Sequence, residues 1–309
     1  DNAKLRKARE AGKWAVEMVK AGRKPSELIT KEVLYNAIMF DMAVAGSTNA
    51  VLHILSYAYE LGIKLTLEDF ERYAKEIPCI NAVVPSGPYT VVDFHYAGGV
   101  MNVMKMLESK LFTDVPGMYG NTWKEMLSKV TPQENKVIHS LEKPLFNEPG
   151  LKILRGNLSP NGAIVRPTAV YEEVKYMKGK AKVFEGDRPA FEAIQAGEIV
   201  PGDIIVIRYE GCKGAPGMKE LMLSIDALIG LGLHKSVGLI SDARFSGFNY
   251  GAIIGHVSPE AYDGGPIALV ENGDEIVIDI PNGEVSLLVS DEELERRKEA
   301  WVCPPLKEE

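Results

Sequence analysis

The segment Ser241-Asp-Ala-Arg-Phe-Ser-Gly247 brings a carboxylate, a guanidinium and two hydroxyls into one short loop. An apolar run, Val237-Gly-Leu-Ile240, precedes it and reads as a buried strand, and a second run, Gly251-Ala-Ile-Ile254, follows. Polar loops at the ends of buried strands are where α/β and barrel folds tend to place chemistry. Ser246 lies between Arg244 and Gly247. A serine hydroxyl is a poor base unless a metal or cation stabilises its alkoxide. The same residue also reads as an ordinary serine that turns the backbone, and Asp242 and Arg244 as a pair that satisfy each other.

Upstream, Gly211-Cys-Lys-Gly-Ala-Pro-Gly217 follows the apolar run Ile204–Ile207. Its glycines permit positive φ and let backbone N–H groups approach an anion, and Lys213 adds charge. Taken alone, the loop reads more readily as a tight structural turn than as an anion site. It is not a phosphate-binding loop of the Gly-Lys-Ser/Thr kind, and Gly230-Leu-Gly232 is too short for a dinucleotide fingerprint. Glu220 comes next, where Met218, Leu221 and Met222 predict a helix start. A carboxylate there suits the helix dipole, or serves as a hard-cation ligand, since Mg²⁺ takes one or two carboxylates and keeps positions for substrate oxygens. Asp93-Phe-His95 reads as two ligand-type side chains on one face of an extended segment. His53, His95 and His256 all have plain structural readings. Gly46-Ser-Thr-Asn49 is a helix cap first and an anion site second.

These residues need elements to position them. The first third of the chain is helical. Leu5, Ala8, Trp14, Ala15, Met18 and Val19 predict a core-facing stripe, and Thr30 caps a helix that buries Val33, Leu34, Ala37, Ile38 and Met42. Thr66 with Asp69 is an N-cap pattern for a helix over Leu67–Lys75. From about residue 148 short apolar runs alternate with Gly, Pro, Asn and Asp. Asn272-Gly273 predicts a hairpin between Ile267–Val270 and Glu275–Ile280, and Asn282-Gly283 precedes a further strand. Ser290 with Glu293 caps a final helix. Turn spacing of this kind predicts a closed β structure. A boundary near residue 147 divides the chain into 1–147, helical α/β, and 148–309, β-rich.

The 309 residues are 46% hydrophobic and 25% charged, ordinary for a soluble globular protein. A net charge of −8 and no basic run argue against nucleic acid as a partner. No stretch approaches the ~20 apolar residues of a membrane span. Cys79, Cys212 and Cys303 are far apart and match no Cys-x-x-Cys site, so they read as reduced thiols of a cytoplasmic protein.

Taken together, Ala45-Gly-Ser-Thr-Asn49, Pro85-Ser-Gly87, Asp93-Phe-His-Tyr-Ala-Gly-Gly99, Leu154-Arg-Gly-Asn-Leu158 and Arg208-Tyr-Glu-Gly211 resemble the dihydroxy-acid and sugar-acid dehydratases. The Lys213–Glu220 loop, Arg244-Phe-Ser-Gly247, His256-Val-Ser-Pro-Glu260 and Gly264-Gly-Pro-Ile-Ala-Leu269 continue the match nearly end to end. The resemblance implies an α/β domain followed by a swivelling β/α barrel, and a hydro-lyase that converts a 2,3-dihydroxy acid to a 2-keto acid. It implies that Ser246 is the catalytic serine and Glu220 a Mg²⁺ ligand. It further implies an iron–sulfur cluster whose cysteines lie outside this chain, which reads as beginning about halfway through the family's first domain. None of the three cysteines stands at a cluster position. A homodimer, or association with a chain that supplies the missing half, is expected. The rival expectation is a non-catalytic structural or regulatory subunit on the same scaffold. Ala243 and Ala215 replace two glycines of the family pattern, and Ile225-Asp-Ala227 replaces Pro-Thr-Ser. The substrate is thus open between a branched-chain precursor and a sugar acid.

Overall fold

The computed structural model describes residues 2–117 and 120–306. The helical part contains α1 (Asn2–Lys20), α2 (Pro25–Leu28), α3 (Lys31–Ala43), α4 (Thr48–Glu60), α5 (Leu67–Glu76), α6 (Val91–Tyr96), α7 (Gly99–Met106) and α8 (Trp123–Leu127). Side-chain caps set several of these starts. The Thr30 hydroxyl accepts from the Val33 N–H, and the Asp69 carboxylate accepts from the Thr66 N–H. Leu34, Ile38 and Met42 of α3 pack with Val51, Phe70 and Ile77 into one core.

Two expectations fail here. Helix α1 forms, but none of its residues is buried, and Leu5 and Val19 are 67% and 79% exposed. Periodicity shows that a face can be buried; it does not say what covers it. Asp93-Phe-His95 is not extended but lies in α6. The Thr90 hydroxyl accepts from the Asp93 N–H, and the Asp93 carboxylate accepts from the Thr90 N–H, so a reciprocal cap closes a helix over the β-branched Val91 and Val92. Asp93 is thus committed to the cap, and His95 points to solvent.

The remainder is a mixed sheet of eight strands that curls into a nearly closed barrel. The strands are β1 (Lys152–Leu154), β2 (Gly162–Val165), β3 (Tyr176–Phe184), β4 (Ile204–Ile207), then β6 (Gly238–Ser241), β8 (Ile253–Ser258), β9 (Glu275–Asp279) and β10 (Glu284–Leu287). A separate pair, β5 (Glu220–Leu221) and β7 (Arg244–Phe245), sits above it. The order is β1-β2-β8-β6-β4-β3-β9-β10, with β8, β6, β4 and β3 mutually parallel. The edge strands approach each other where the Arg155 N–H donates to Gly283 O at 2.9 Å and the Val285 N–H to Arg155 O at 2.8 Å.

Every residue of β4 and β6 is buried, as their unbroken apolar runs predict for parallel strands covered on both faces. Val206, Ile240 and Ile254 fill the barrel with Leu154, Val165, Ile276 and Ile278. Ile205, Ile207, Leu239 and Ile253 point outward, beneath α9 (Asp187–Gln195) and α10 (Leu223–Gly230). Ile153 and Ile164, on the outer face of β1 and β2, join the helical core. Each such side chain contributes ~1.5–3 kcal/mol when fully buried. The alternation therefore holds the helical part on the barrel.

The Asn272-Gly273 hairpin does not form. Pro266–Leu269 is a 3₁₀ turn, and the Asn272 side-chain oxygen Oδ1 instead accepts from the Val183 N–H at 2.7 Å, which feeds β9 onto β3. The hairpin is at Asn282-Gly283, between β9 and β10. The last helix, α11 (Asp291–Ala300), starts at Ser290 as its cap predicts.

Candidate active site

The loops that follow β4 and β6 leave the carboxyl ends of adjacent parallel strands, where open α/β sheets bind their ligands. The short β5–β7 pair joins them. Glu220 and Arg244 face each other as register partners, and Ser246 stands one residue beyond β7. Glu220 thus belongs to a strand, and the expected helix start is displaced to Leu223. The cause lies in Asp187, at the start of α9. Its carboxylate accepts the N–H groups of Met222, Leu223 and Ser224 at 3.0–3.1 Å, which caps α10 and keeps Glu220 outside it.

Asn49, in the first turn of α4, ties this pair to the helical part. Its amide nitrogen donates to Glu220 Oε1 at 2.7 Å and to Phe245 O at 3.2 Å. The Arg244 guanidinium lies 4.0 Å from Glu220 Oε1 and donates through Nε to Met218 O at 2.6 Å. Asp242 and Arg244 therefore do not pair. Asp242 instead accepts from the N–H groups of Tyr209, Glu210 and Ala261 at 2.9–3.1 Å, stitching three loops together. Burial pushes its carboxyl up to about 6, against the pull of those three amides.

The glycine loop is a structural turn occupied by an internal anion. The Glu260 carboxylate accepts from the N–H groups of Lys213 and Gly214, and the Lys213 ammonium pairs with Asp263. Ser246 is half-buried, and its hydroxyl oxygen accepts from the Phe248 N–H at 3.3 Å. Among the described residues, the four non-glycine ones with positive φ, Ala45, Tyr209, Met218 and His256, all flank this region. Held strain of this sort concentrates at functional sites. His256 is buried with neither ring nitrogen hydrogen-bonded, and burial drives it down to about 4, so its ring is neutral.

Three participants had little sequence signal. Arg166, at the end of β2, is buried and donates to Gly247 O at 2.8 Å; a lone cation closing the apolar run Gly162–Val165 was the available sign. Asp41 sits within the apolar stretch Ile38-Met-Phe-Asp-Met-Ala43 and is nine-tenths buried. Burial pushes its carboxyl up to about 7, although Arg166 and the Ser47 amide favour the charged form. A Cβ on Gly46 would stand 1.8 Å from Asp41 Oδ1, so only glycine lets the chain turn over that carboxylate into α4. Glu260 was legible only as part of a motif. A cavity of about 340 Å³ opens beside Gly46, Ser47, Asn81, Arg166 and Gly247.

A hard cation fits Glu220 in part. Its side chain is 36% exposed, its second oxygen is not engaged by the Asn49 amide, and one carboxylate is an acceptable protein share for Mg²⁺. No group of three or more His, Cys, Asp or Glu among the described residues is placed to hold a metal. An iron–sulfur cluster does not fit the cysteines of this chain. Cys79 is buried in the helical part, with its thiol pushed up to about 12 by burial, whereas Cys212 and Cys303 are exposed, one in the glycine loop and one beyond α11.

Comparison with known proteins assigns this fold to a family. Residues 136–309 match the profile of the dihydroxy-acid/6-phosphogluconate dehydratase C-terminal region, and residues 1–126 match that of the N-terminal region. The chain belongs to this family. It is 48% identical over 302 residues to a dihydroxy-acid dehydratase of Clostridium novyi, covering 97% of this chain and 54% of that protein. It is 47% identical over 312 residues to one of Methanosarcina barkeri, covering 100% of this chain and 56% of that protein. Against one of Aeropyrum pernix the identity is 44%, with 98% and 55% covered. The chain spans about half the length of the curated relatives it matches.

Proposed function

We propose that the chain supplies the proton-abstracting half of a hydro-lyase that converts a 2,3-dihydroxy acid to a 2-keto acid. In this reading Ser246 is the base, and Glu220 is a ligand to Mg²⁺. The observation that carries it is the Asn49 amide, which binds both Glu220 and the backbone just before Ser246. One side chain from the helical part thereby sets the distance between a candidate cation ligand and a candidate base.

The chemistry runs as a β-elimination. Ser246, as alkoxide, takes the proton from C2; the C2–H electrons form the C2=C3 double bond, and the C3 hydroxyl leaves as hydroxide. A proton converts that hydroxide to water, and so restores the alkoxide when the proton is the one Ser246 took. The resulting enol gains a proton at C3 and loses the one on its C2 oxygen, becoming the 2-keto acid. Mg²⁺ held by Glu220 would supply Lewis acidity toward substrate oxygens and stabilise an alkoxide nearby. Arg244 is engaged by Met218 O, so its role is to hold β7 against the glycine loop. The cluster-bearing part of such an enzyme comes from outside these residues, either from a second polypeptide or from further chain, and the active assembly contains both. Residues 148–309 are taken as the family's swivelling barrel domain, with the boundary near residue 147. The reading leaves the acid open between a branched-chain precursor and a sugar acid.

The deciding experiment is Ser246→Ala in the active assembly, read as solvent-deuterium exchange at C2 of the bound acid alongside turnover. Exchange and kcat should both fall by about 10²-fold or more, with KM nearly unchanged, because a base acts in the transition state. Exchange at the parental rate would assign the proton to another residue and leave the chain a scaffold at this position.

A further inference from the structure

The tip of the loop that carries Ser246 has little packing of its own, and the ring contacts of Tyr250 with His234 and Phe248 lie at its far end. No atom lies within 4 Å of where a Cβ on Gly247 would stand, and Phe248 is 60% exposed. The residues from 246 to 250 form neither helix nor strand. Something else must hold this loop in one shape if its hydroxyl is to meet a substrate carbon.

Arg166 is in place to do so. It ends β2, on the strand beside β8, and its side chain is only 6% exposed. Burying a guanidinium is costly unless it is paired and hydrogen-bonded. Among the described residues no carboxylate lies within ion-pair distance of Arg166; Asp41 acts on it only through its field. Its Nη2 donates to Gly247 O at 2.8 Å and lies 3.5 Å from Asn249 Oδ1. Asn249, itself buried, donates from Nδ2 to Ser246 O at 2.9 Å. Two consecutive carbonyls, those of Ser246 and Gly247, thus trace back to one buried cation. Hydrogen bonds from a charged donor are the stronger kind.

We infer that Arg166 is the positioning residue for Ser246, fixing the loop through Gly247 O and Asn249 while touching no reacting atom. The inference rests on Ser246 as the base, but the anchoring itself is measurable without that assumption. Both acceptors are served by the single Nη2, which the planar guanidinium holds in place; a lysine would keep the charge on a flexible stem without that plane.

The test begins with this chain alone. Amide hydrogen exchange of residues 244–251, followed by mass spectrometry, should quicken about tenfold or more in Arg166→Gln, because losing a charged hydrogen bond costs at least that factor. Arg166→Lys should fall between the two. Exchange in β4 and β6 should stay at the parental rate, which separates a loosened loop from a loosened protein. Should Arg166→Gln fail to fold, Asn249→Ala serves as the second variant and should quicken the same segment. In the active assembly, Arg166→Lys should lower kcat about tenfold with KM within about twofold, since misplacement of a reacting group falls on the transition state. Parental exchange in the folded variants overturns the anchoring, and faster exchange with unchanged kcat overturns the positioning role. Ser246→Ala in the same assembly keeps the two readings apart. If that variant retains C2 exchange, the base assignment fails while the exchange result on Arg166 stands.

Discussion

At the scale of single residues, the site is built from carboxylates with three different duties. Asp242 and Glu260 are spent on backbone N–H groups, so Glu220 is the one left with an oxygen facing outward. Glu220→Ala should therefore weaken Mg²⁺ binding in the active assembly, seen by titration, while the fold survives the loss of one hydrogen bond to Asn49, worth about 0.5–1.5 kcal/mol. Unchanged Mg²⁺ affinity would remove the ligand role.

Asp41 has a different signature. Its carboxyl is raised from 3.8 to about 7 in the folded chain. Between those values the folded state holds a proton that the unfolded state has released, so stability is fully present below about 4 and falls as pH rises toward 7. Asp41→Asn, which keeps an acceptor for Ser47 and cannot ionise, should flatten that fall. The gain should be on the order of 1–3 kcal/mol at pH 8 and near zero at pH 4, measured by denaturant unfolding at both. An equal effect at both pH values would show that the charge is not what matters.

At the scale of elements, caps decide what periodicity leaves open. Thr90 with Asp93 turns a β-branched segment into α6, and Asp187 begins α10 three residues past Glu220. Asp187→Ala would leave three N–H donors at the start of α10 without their acceptor and should cost about 1–3 kcal/mol. Because β5 precedes α10 directly, Mg²⁺ affinity should fall with it. Thermal unfolding together with Mg²⁺ titration reads both; a parental melting temperature would show that α10 starts without its cap.

At the scale of the whole molecule, the helical core meets the barrel across the outer face of β1 and β2, and the site lies where Asn49 crosses from the helical part to Glu220 and Phe245. Helix α1 stands apart from both cores, with no buried residue. Removal of residues 1–20 should leave the main unfolding transition within about 2 °C of the parent, since stability comes from buried apolar area. A drop of several degrees in calorimetry would show that α1 contributes to a core after all.

Local chemistry was legible because it is written within a few residues. The caps at Thr30, Thr66 and Ser290, the doubly buried runs Ile204–Ile207 and Val237–Ile240, and the closed β character of the later strands all follow from spacing and turn residues. The motif around Ser246 pointed to the dehydratase family for the same reason. What tertiary structure alone decided was pairing across distance. That Asp242 serves three loops rather than Arg244, that Glu260 fills the glycine turn, and that Asn272 sends β9 to β3 depend on groups 19 to 89 positions apart. A hydrogen-bonding group in the sequence has many candidate partners, and only burial chooses among them, because an acceptor removed from water must take the donor that the fold brings to it.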